Sequence, residues 1–188
     1  TIYSSEAAFA ALKADGSVVT WGSIGYSVGG NNIFTFMTAV ASELSSGVSA
    51  IYSNDNAFAA LKNDGSVVTW GIIGYGGDSS SVASELSSGV IAIYPNSFGF
   101  AALKQDGSVV TWGDSDWGGD SSSVASELSS GVSTIFSTHF AFAALKNDGS
   151  VVTWGYHSNG GDSSSVASEL SSGVSSIYSN NGAFAALK

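Results

Sequence analysis

The sequence contains no cysteine and no arginine, one proline, and five lysines against fifteen acidic residues. Without cysteine, disulfide bonds and thiolate metal sites are excluded, whereas the compartment stays open because secreted and cytosolic chains can both lack cysteine. The formal charge of -10 repels phosphate backbones and anionic membrane surfaces, so we expect no nucleic acid partner. No apolar run approaches the roughly 18 residues of a membrane span, so we expect no membrane insertion.

Internal repetition is the dominant feature of the sequence. The motif DGSVVTWG occurs four times and the motif FAALK occurs five times. The tryptophan of DGSVVTWG recurs at intervals of 49, 42 and 42 residues. The unit is therefore about 42 residues long, with seven additional residues in the first copy. We interpret the chain as a single repeat array over residues 1–188. Its units are about 1–47, 48–89, 90–131 and 132–173, followed by a partial unit at 174–188.

Each unit contains three short segments with the composition of β-strands, such as AIYS, AFAALK and SVVTWG. The last two flank NDG, in which Gly65 can adopt a positive φ, so a tight hairpin is predicted. Phe58 and Ala60 point to one face of the strand and Ala59 and Leu61 to the other, so both faces are apolar. An all-β repeat protein of β-propeller blades is favoured, because radially packed sheets bury both faces. An open β-solenoid or a filament subunit is the alternative.

The strand aromatics are predicted to fill the spaces between neighbouring sheets, because the alanines of FAALK let the sheets approach closely. The tryptophans of the four copies are expected in equivalent buried positions. The predicted structural core comprises Trp21, Trp70, Trp112, Trp154, Phe58 and Phe142.

The Ser-rich segment GGDSSSVASELSSGV is expected to form one or two helical turns on the surface. Asp78 is a suitable N-cap, Val82 and Leu86 share one helical face, and Gly89 can end the turn in a left-handed conformation. The alternative is a Ser-rich loop without a helix, since short helices are marginal without packing.

The hairpin FAALKNDGSVVTWG resembles the repeat of the regulator of chromosome condensation family. In that repeat, a strand of small residues and leucine is followed by a D-G turn and a strand that ends in Trp-Gly. The resemblance recurs in every unit and implies a β-propeller. This chain differs in its shorter unit and in carrying GGDSSS after Trp-Gly. Its acidic, Ser-rich and nearly identical units look like the repeats of large secreted surface proteins, which implies an extracellular or cell-surface location.

No group of residues in this sequence has the spacing of a known active site or metal centre. His139 and His157 each occupy a position that holds other residues in the sister units, so we expect exposed loop histidines. Asp114 and Asp116 form a local acidic pair on a glycine-flanked loop, where carboxylates are usually solvated. The aspartate of GGDSSS lacks the spaced carboxylates of a calcium loop. We therefore predict that the protein is not an enzyme and has no metal and no cofactor.

The positions at which the copies disagree are the candidates for a functional surface. They precede FAALK and follow Trp-Gly, where the chain reads SIGY, IIGY, DSDW and YHSN. Aromatic side chains on such loops often contact a partner, here a protein or a carbohydrate. The alternative is that they cover the ends of the sheets and bind nothing. The candidate loop contacts are Tyr26, Tyr75, Trp117 and Tyr156.

The two ends of the chain have similar sequences, TIYSSEAAFAALK at the start and SIYSNNGAFAALK at the end. The last unit therefore contains two strands without SVVTWG, and we predict an exposed apolar edge that associates with another copy or with adjoining repeats. The predicted self-association residues are Ile2, Tyr3, Phe9, Ile177, Tyr178 and Phe184.

Two functions follow from these observations. The first is a non-catalytic structural or adhesive repeat module of a larger secreted, cell-surface or filament protein. The alternative is a protein-interaction propeller that binds a partner through its variable loops.

Overall fold

The structure, a computed structural model, describes residues 1–22, 27–28, 31–32 and 40–188. Among these residues, short antiparallel strands form four three-stranded sheets, one two-stranded sheet and a small two-stranded ribbon. Sheet 1 contains β1 (Ile2–Ser4), β2 (Ala8–Leu12) and β3 (Val18–Gly22), and the ribbon contains β4 (Ser27–Val28) and β5 (Asn31–Asn32). Sheet 2 contains β6 (Val48–Ser53), β7 (Ala57–Lys62) and β8 (Val67–Gly71), and sheet 3 contains β9 (Val90–Pro95), β10 (Gly99–Lys104) and β11 (Val109–Gly113). Sheet 4 contains β12 (Val132–Ser137), β13 (Ala141–Lys146) and β14 (Val151–Gly155), and sheet 5 contains β15 (Ser176–Ser179) and β16 (Phe184–Leu187).

Each three-stranded sheet is an antiparallel meander with the FAALK strand in its centre. In sheet 2, Phe58 of β7 lies opposite Trp70 of β8 and opposite Ser53 of β6. The first strands of successive sheets contact one another, from β1 to β6, β9, β12 and β15. The first strand is therefore the inner one, and the sheets are arranged as blades around a common axis.

The hairpin between the second and third strands has the predicted turn. In sheet 2, the amide of Gly65 donates to the carbonyl oxygen of Lys62 at 3.0 Å, and the amide of Lys62 donates to Ser66 at 2.9 Å. Gly65 has a φ of +78°, which residues with a Cβ rarely adopt. The Asp64 carboxylate accepts the amide of Ser66 at 2.9 Å, so the aspartate stabilises the turn as expected.

Both faces of the central strands of sheets 2 to 4 are buried, one against each neighbouring sheet. Phe58 and Ala60 of sheet 2 pack with Ala8 and Ala10 of sheet 1. The opposite face of sheet 2, with its alanines and Leu61, packs against the aromatic residues of sheet 3. Each interface therefore joins an aromatic face of one sheet to an alanine-rich face of the sheet before it. The predicted burial on two sides is confirmed, and it favours blades over a single-layered solenoid.

The prediction that all four repeat tryptophans are buried is wrong for Trp21. Trp70, Trp112 and Trp154 are buried, as are Phe58 and Phe142, whereas Trp21 is 44% exposed. The reason is its position in the array, because the aromatic face of each later sheet is covered by the sheet before it. The equivalent face of sheet 1 is open to solvent.

The Ser-rich segments form short 3-10 turns on the surface. In the second unit, Ser79 precedes the first turn, and the carboxylate of Asp78 accepts the amide of Ser80 at 2.8 Å. Leu86 anchors the segment in the core between sheets 2 and 3. The one or two helical turns predicted here are present as three-residue 3-10 turns, because the segment is too short to propagate an α-helix. In units two to four these turns are Ser80–Val82, Glu85–Ser87, Ser122–Val124 and Ser164–Val166.

Four of the five lysines hold the Ser-rich segments in place. Each ammonium group donates to the backbone carbonyl oxygen of the glutamate 19 residues earlier, at distances from 2.6 to 3.1 Å. The cations therefore lie at the hairpin end of the second strands. These lysines are Lys62, Lys104, Lys146 and Lys188.

Candidate functional site

The loop after the third strand has the same anchored backbone in successive units. In the third unit, the side-chain amide of Asn96 donates to the carbonyl oxygen of Trp117, and the indole Nε1 of Trp154 donates to Gly118 at 3.2 Å. In the second unit, Asn54 donates to Tyr75 at 2.9 Å and Trp112 donates to Gly76 at 3.1 Å. The variable side chains of these loops are thus presented on a constant frame.

A continuous aromatic cluster lies on these loops. The ring of Trp117 lies 4.4 Å from that of Phe140, 4.9 Å from that of Tyr156 and 5.6 Å from that of Phe98, measured between ring centroids. Tyr75 extends the cluster at 5.0 Å from Phe98. All five side chains are half-buried, so they pack on one another and still present surface to solvent. We call these five residues the aromatic cluster.

The repeat itself does not require aromatic rings at these positions. The positions of Phe98 and Phe140 are held by Asn56 in the second unit and Gly182 in the fifth. The backbone is the same in three of them, since the amides of Asn56, Phe98 and Gly182 each donate to the preceding Asn side chain at 2.9 Å. The same loop backbone is present where the rings are absent, so the cluster is a feature of this part of the surface.

The structure brings together three of the four predicted loop contacts, Tyr75, Trp117 and Tyr156. The fourth, Tyr26, lies outside the described residues. Phe98 and Phe140 were missing from the predicted set. Their signal was present in the sequence, since both belong to the variable segments PNSFGF and STHFAF that precede the second strands.

A surface hollow of about 590 Å³ adjoins the aromatic cluster. Trp117 and Tyr156 line it together with Asp116, Asp120 and His157. Two hydrogen bonds lower the pKa of Asp120 below its ordinary value. The larger effect comes from the backbone amide of Ser122 and the smaller one from the Ser122 hydroxyl. The Asp120 carboxylate is therefore ionised at neutral pH, beside the aromatic faces.

A second hollow, of about 380 Å³, lies where the first loops of sheets 2 to 5 meet. It is lined mainly by polar side chains. Those at the repeated Asn position, Asn54, Asn96 and Asn180, form hydrogen bonds with the backbone of the loops. Asn54, for example, donates to Tyr75 and accepts the amides of Asn56 and Ala57 at 2.9 and 2.7 Å. These groups are occupied in shaping the loops, so this hollow carries no functional assignment.

The two ends of the array expose complementary faces. Ile2, Phe9, Val19 and Trp21 form the first end face, on the aromatic side of sheet 1. The second end face belongs to sheet 5 and contains the exposed Tyr178, Ala185 and Leu187. Within the array, an aromatic face packs against an alanine-rich face at every junction between sheets. The end faces are the two halves of that same junction.

Three of the six predicted self-association residues are wrongly placed. Tyr3 packs toward sheet 2, while Ile177 and Phe184 pack toward sheet 4. Successive side chains of a strand point to opposite faces, so residues adjacent to exposed ones turn inward. Ile2, Phe9 and Tyr178 are exposed. Val19, Trp21 and Leu187 are also exposed at the ends and were missed.

No protein-family model and no curated protein sequence matches this chain. Solved structures match it over almost its whole length. Yeast RCC1 (Prp20), in a complex with Kap60, has 16% identity and a TM-score of 0.55, covering 96% of this chain and 51% of the other. The ectodomain of the receptor kinase CR4 from Physcomitrella patens has 18% identity and a TM-score of 0.54, with coverages of 96% and 46%. The CRINKLY WD40 ectodomain of the receptor kinase ACR4 from Arabidopsis thaliana has 15% identity and a TM-score of 0.51, with coverages of 96% and 55%.

The chain has the RCC1-like β-propeller fold. This confirms, at the level of the fold, the resemblance carried by FAALKNDGSVVTWG. The chain spans about half the length of each matched structure. Its sheets therefore correspond to an arc of blades in those propellers.

Two histidines and one aspartate that the sequence offered as candidates for chemistry, His139, His157 and Asp116, lie on loops of the described part of the chain. Within residues 1–22 and 40–188, no three His, Asp or Glu side chains come together as a metal site would require. His139 and His157 are exposed beside the rings of Phe140 and Tyr156. Asp116 is also exposed. No helix in the described ranges has the length and apolar character needed to cross a bilayer.

Proposed function

We propose that the chain is a non-catalytic structural module of a larger secreted, cell-surface or filament protein, and that its end faces pack against further copies of the same repeat. The observation that carries this proposal is the match between the two end faces and the internal junctions. An exposed apolar surface of this kind is typical of an interaction site. The matched plant ectodomains and the acidic, Ser-rich surface support the extracellular setting.

Packing of the first end face of one chain on the second end face of another is heterologous. Such a contact generates a ring when the rotation closes and a filament when it does not. The partner surface is supplied by the adjoining repeat of a longer polypeptide or by a second copy of the 188-residue chain. In both cases the new junction repeats the aromatic-on-alanine packing already present between sheets.

Self-association of the 188-residue chain tests this proposal. Leu187→Ser is expected to weaken association about tenfold or more, because burying a leucine contributes roughly 1.5 to 3 kcal/mol. The measurement is light scattering coupled to size exclusion over a range of micromolar concentrations. Ile91→Ser is the matched control, since Ile91 is 55% exposed and Leu187 is 54% exposed, and the sister positions of Ile91 are serine.

The control variant should associate as the unaltered chain does. A monomeric unaltered chain, or an equal loss of association in both variants, would contradict packing through the end faces.

The aromatic cluster supports a second function on the same module, binding of a partner through the variable loops. Its rings are not needed by the repeat, as Asn56 and Gly182 show at sister positions. Hydrogen bonds from Asn96 and Trp154 anchor the backbone of the Trp117 loop, and a preorganised surface loses little entropy on binding. Yeast RCC1, which has the same fold, was solved in a complex with Kap60.

A further inference from the structure

We propose that the hollow beside the aromatic cluster binds a cationic side chain, an arginine or lysine presented by a basic peptide segment. This inference rests on the second proposed function, in which the variable loops bind a partner. It concerns the hollow lined by Asp116, Trp117, Asp120, Tyr156 and His157, which is separate from the two end faces.

The positive charges are distributed unequally along the blades. All five lysines are the last residue of a second strand or come directly after it, at the hairpin end, and four of them are held there by glutamate carbonyl groups. Phe98 and Phe140 of the aromatic cluster precede the same strands, so a six-residue strand of about 20 Å separates them from the lysines. The hollow carries Asp116 and Asp120, which favour a cation and repel an anionic ligand.

The aromatic faces add a second reason for a cation. Trp and Tyr rings attract ammonium and guanidinium groups through the negative charge on their faces, and Trp does so most strongly. Trp117 and Tyr156 lie 4.9 Å apart and both border the hollow. A guanidinium group seated there would contact a ring and a carboxylate together, and arginine suits both contacts because it is planar and always charged.

The combination is specific to this position of the array. Asp116 is replaced by Gly74 in the second unit and by Ser158 in the fourth, and Trp117 is replaced by Asn159. The same short 3-10 turn is present at Ser115–Trp117 and at His157–Asn159. Sister residues therefore provide substitutions that keep the turn and remove the proposed binding groups.

The probe is a short peptide, acetyl-Gly-Ser-Arg-Gly-Ser-amide, titrated against the full chain by nuclear magnetic resonance. Its counterpart carries citrulline, which is close to arginine in shape but uncharged. We expect the arginine peptide to bind at least about fivefold more tightly than the citrulline peptide, as one cation–π contact provides. Trp117→Asn and Asp116→Ser should each weaken its binding by a similar factor, and added salt should weaken it further.

Asp78→Asn is the control for charge, because Asp78 is exposed on the second unit and its loss changes the net charge equally. This variant should bind the arginine peptide as the unaltered chain does. Equal weakening by Asp78→Asn and Asp116→Ser would overturn the proposal in favour of general attraction to an acidic protein. Equal affinity for the arginine and citrulline peptides would also overturn it.

Titration with a neutral ligand, methyl glucoside, distinguishes the binding of a cationic side chain from the broader proposal that the variable loops bind a partner. If the glucoside binds, the peptide does not, and Trp117→Asn abolishes the binding, the cationic ligand is wrong and the loop-binding function stands. If neither ligand binds, both are wrong, while the end-face proposal is judged separately by light scattering. The melting temperature of each variant, compared with that of the unaltered chain, verifies that the sister substitutions leave the fold intact.

Discussion

Trp112→Ala is expected to lower the free energy of unfolding by about 3 to 5 kcal/mol, as truncations of buried aromatic residues do. Trp112 is 2% exposed, and its ring stacks on Phe100 at 5.3 Å. Its indole also donates to the carbonyl oxygen of Gly76, so the substitution leaves a cavity and removes a buried hydrogen bond. Denaturant melts measure the loss, and a value below about 1 kcal/mol would contradict the packing described here.

Trp21→Ala is the matched control, because it removes the same side chain from the same position of another unit. Trp21 is 44% exposed and stacks on Phe9 at 5.4 Å, nearly as Trp112 stacks on Phe100. We expect a loss of about 1 kcal/mol or less, since no buried cavity forms. Both substitutions should be measured in the Leu187→Ser background, where association of the end faces contributes little to the apparent stability.

Gly118→Ala is expected to lower the free energy of unfolding by about 2 to 5 kcal/mol. Gly118 has a φ of +98°, and an added Cβ would lie 2.8 Å from Cδ2 of Phe142, which is fully buried. The left-handed conformation costs about 1 to 2 kcal/mol with a Cβ present, and overpacking of a core ring costs about 1 to 3 kcal/mol. The same denaturant melts measure the change.

Gly74→Ala provides the contrast for this second substitution. Gly74 lies in the sister loop, where an added Cβ meets nothing within 4 Å, so the change should stay within about 0.5 kcal/mol. Comparable losses for Gly74→Ala and Gly118→Ala would show that any alteration of these loops is harmful. The close approach to Phe142 would then not be the cause.

The features that sequence could predict are those governed by local rules. The Asp64–Gly65 turn and the burial of both faces of β7 follow from turn chemistry and from the alternation of side chains along a strand. Alternation also places Tyr3 on the face of β1 opposite the exposed Ile2, so the prediction that both residues are exposed is wrong for Tyr3. The burial of a repeat residue depends in addition on its neighbours in the array, which is why Trp21 differs from Trp112.

The aromatic cluster could not be derived from local patterns. Phe98 and Phe140 come from loops that precede second strands, whereas Trp117 and Tyr156 come from loops that follow third strands. Only the radial arrangement of the sheets brings these loops together. The variable positions were recognisable in the sequence, but which of them meet in space was not.

The indole hydrogen bonds join the third unit to the second, from Trp112 to Gly76, and the fourth unit to the third, from Trp154 to Gly118. A further unit that repeats this contact would bring the donor for its predecessor and the acceptor for its successor. Coupling of this kind acts between nearest neighbours, as in a one-dimensional Ising chain. Terminal sheets then fray before central ones, and cooperativity grows with the number of units.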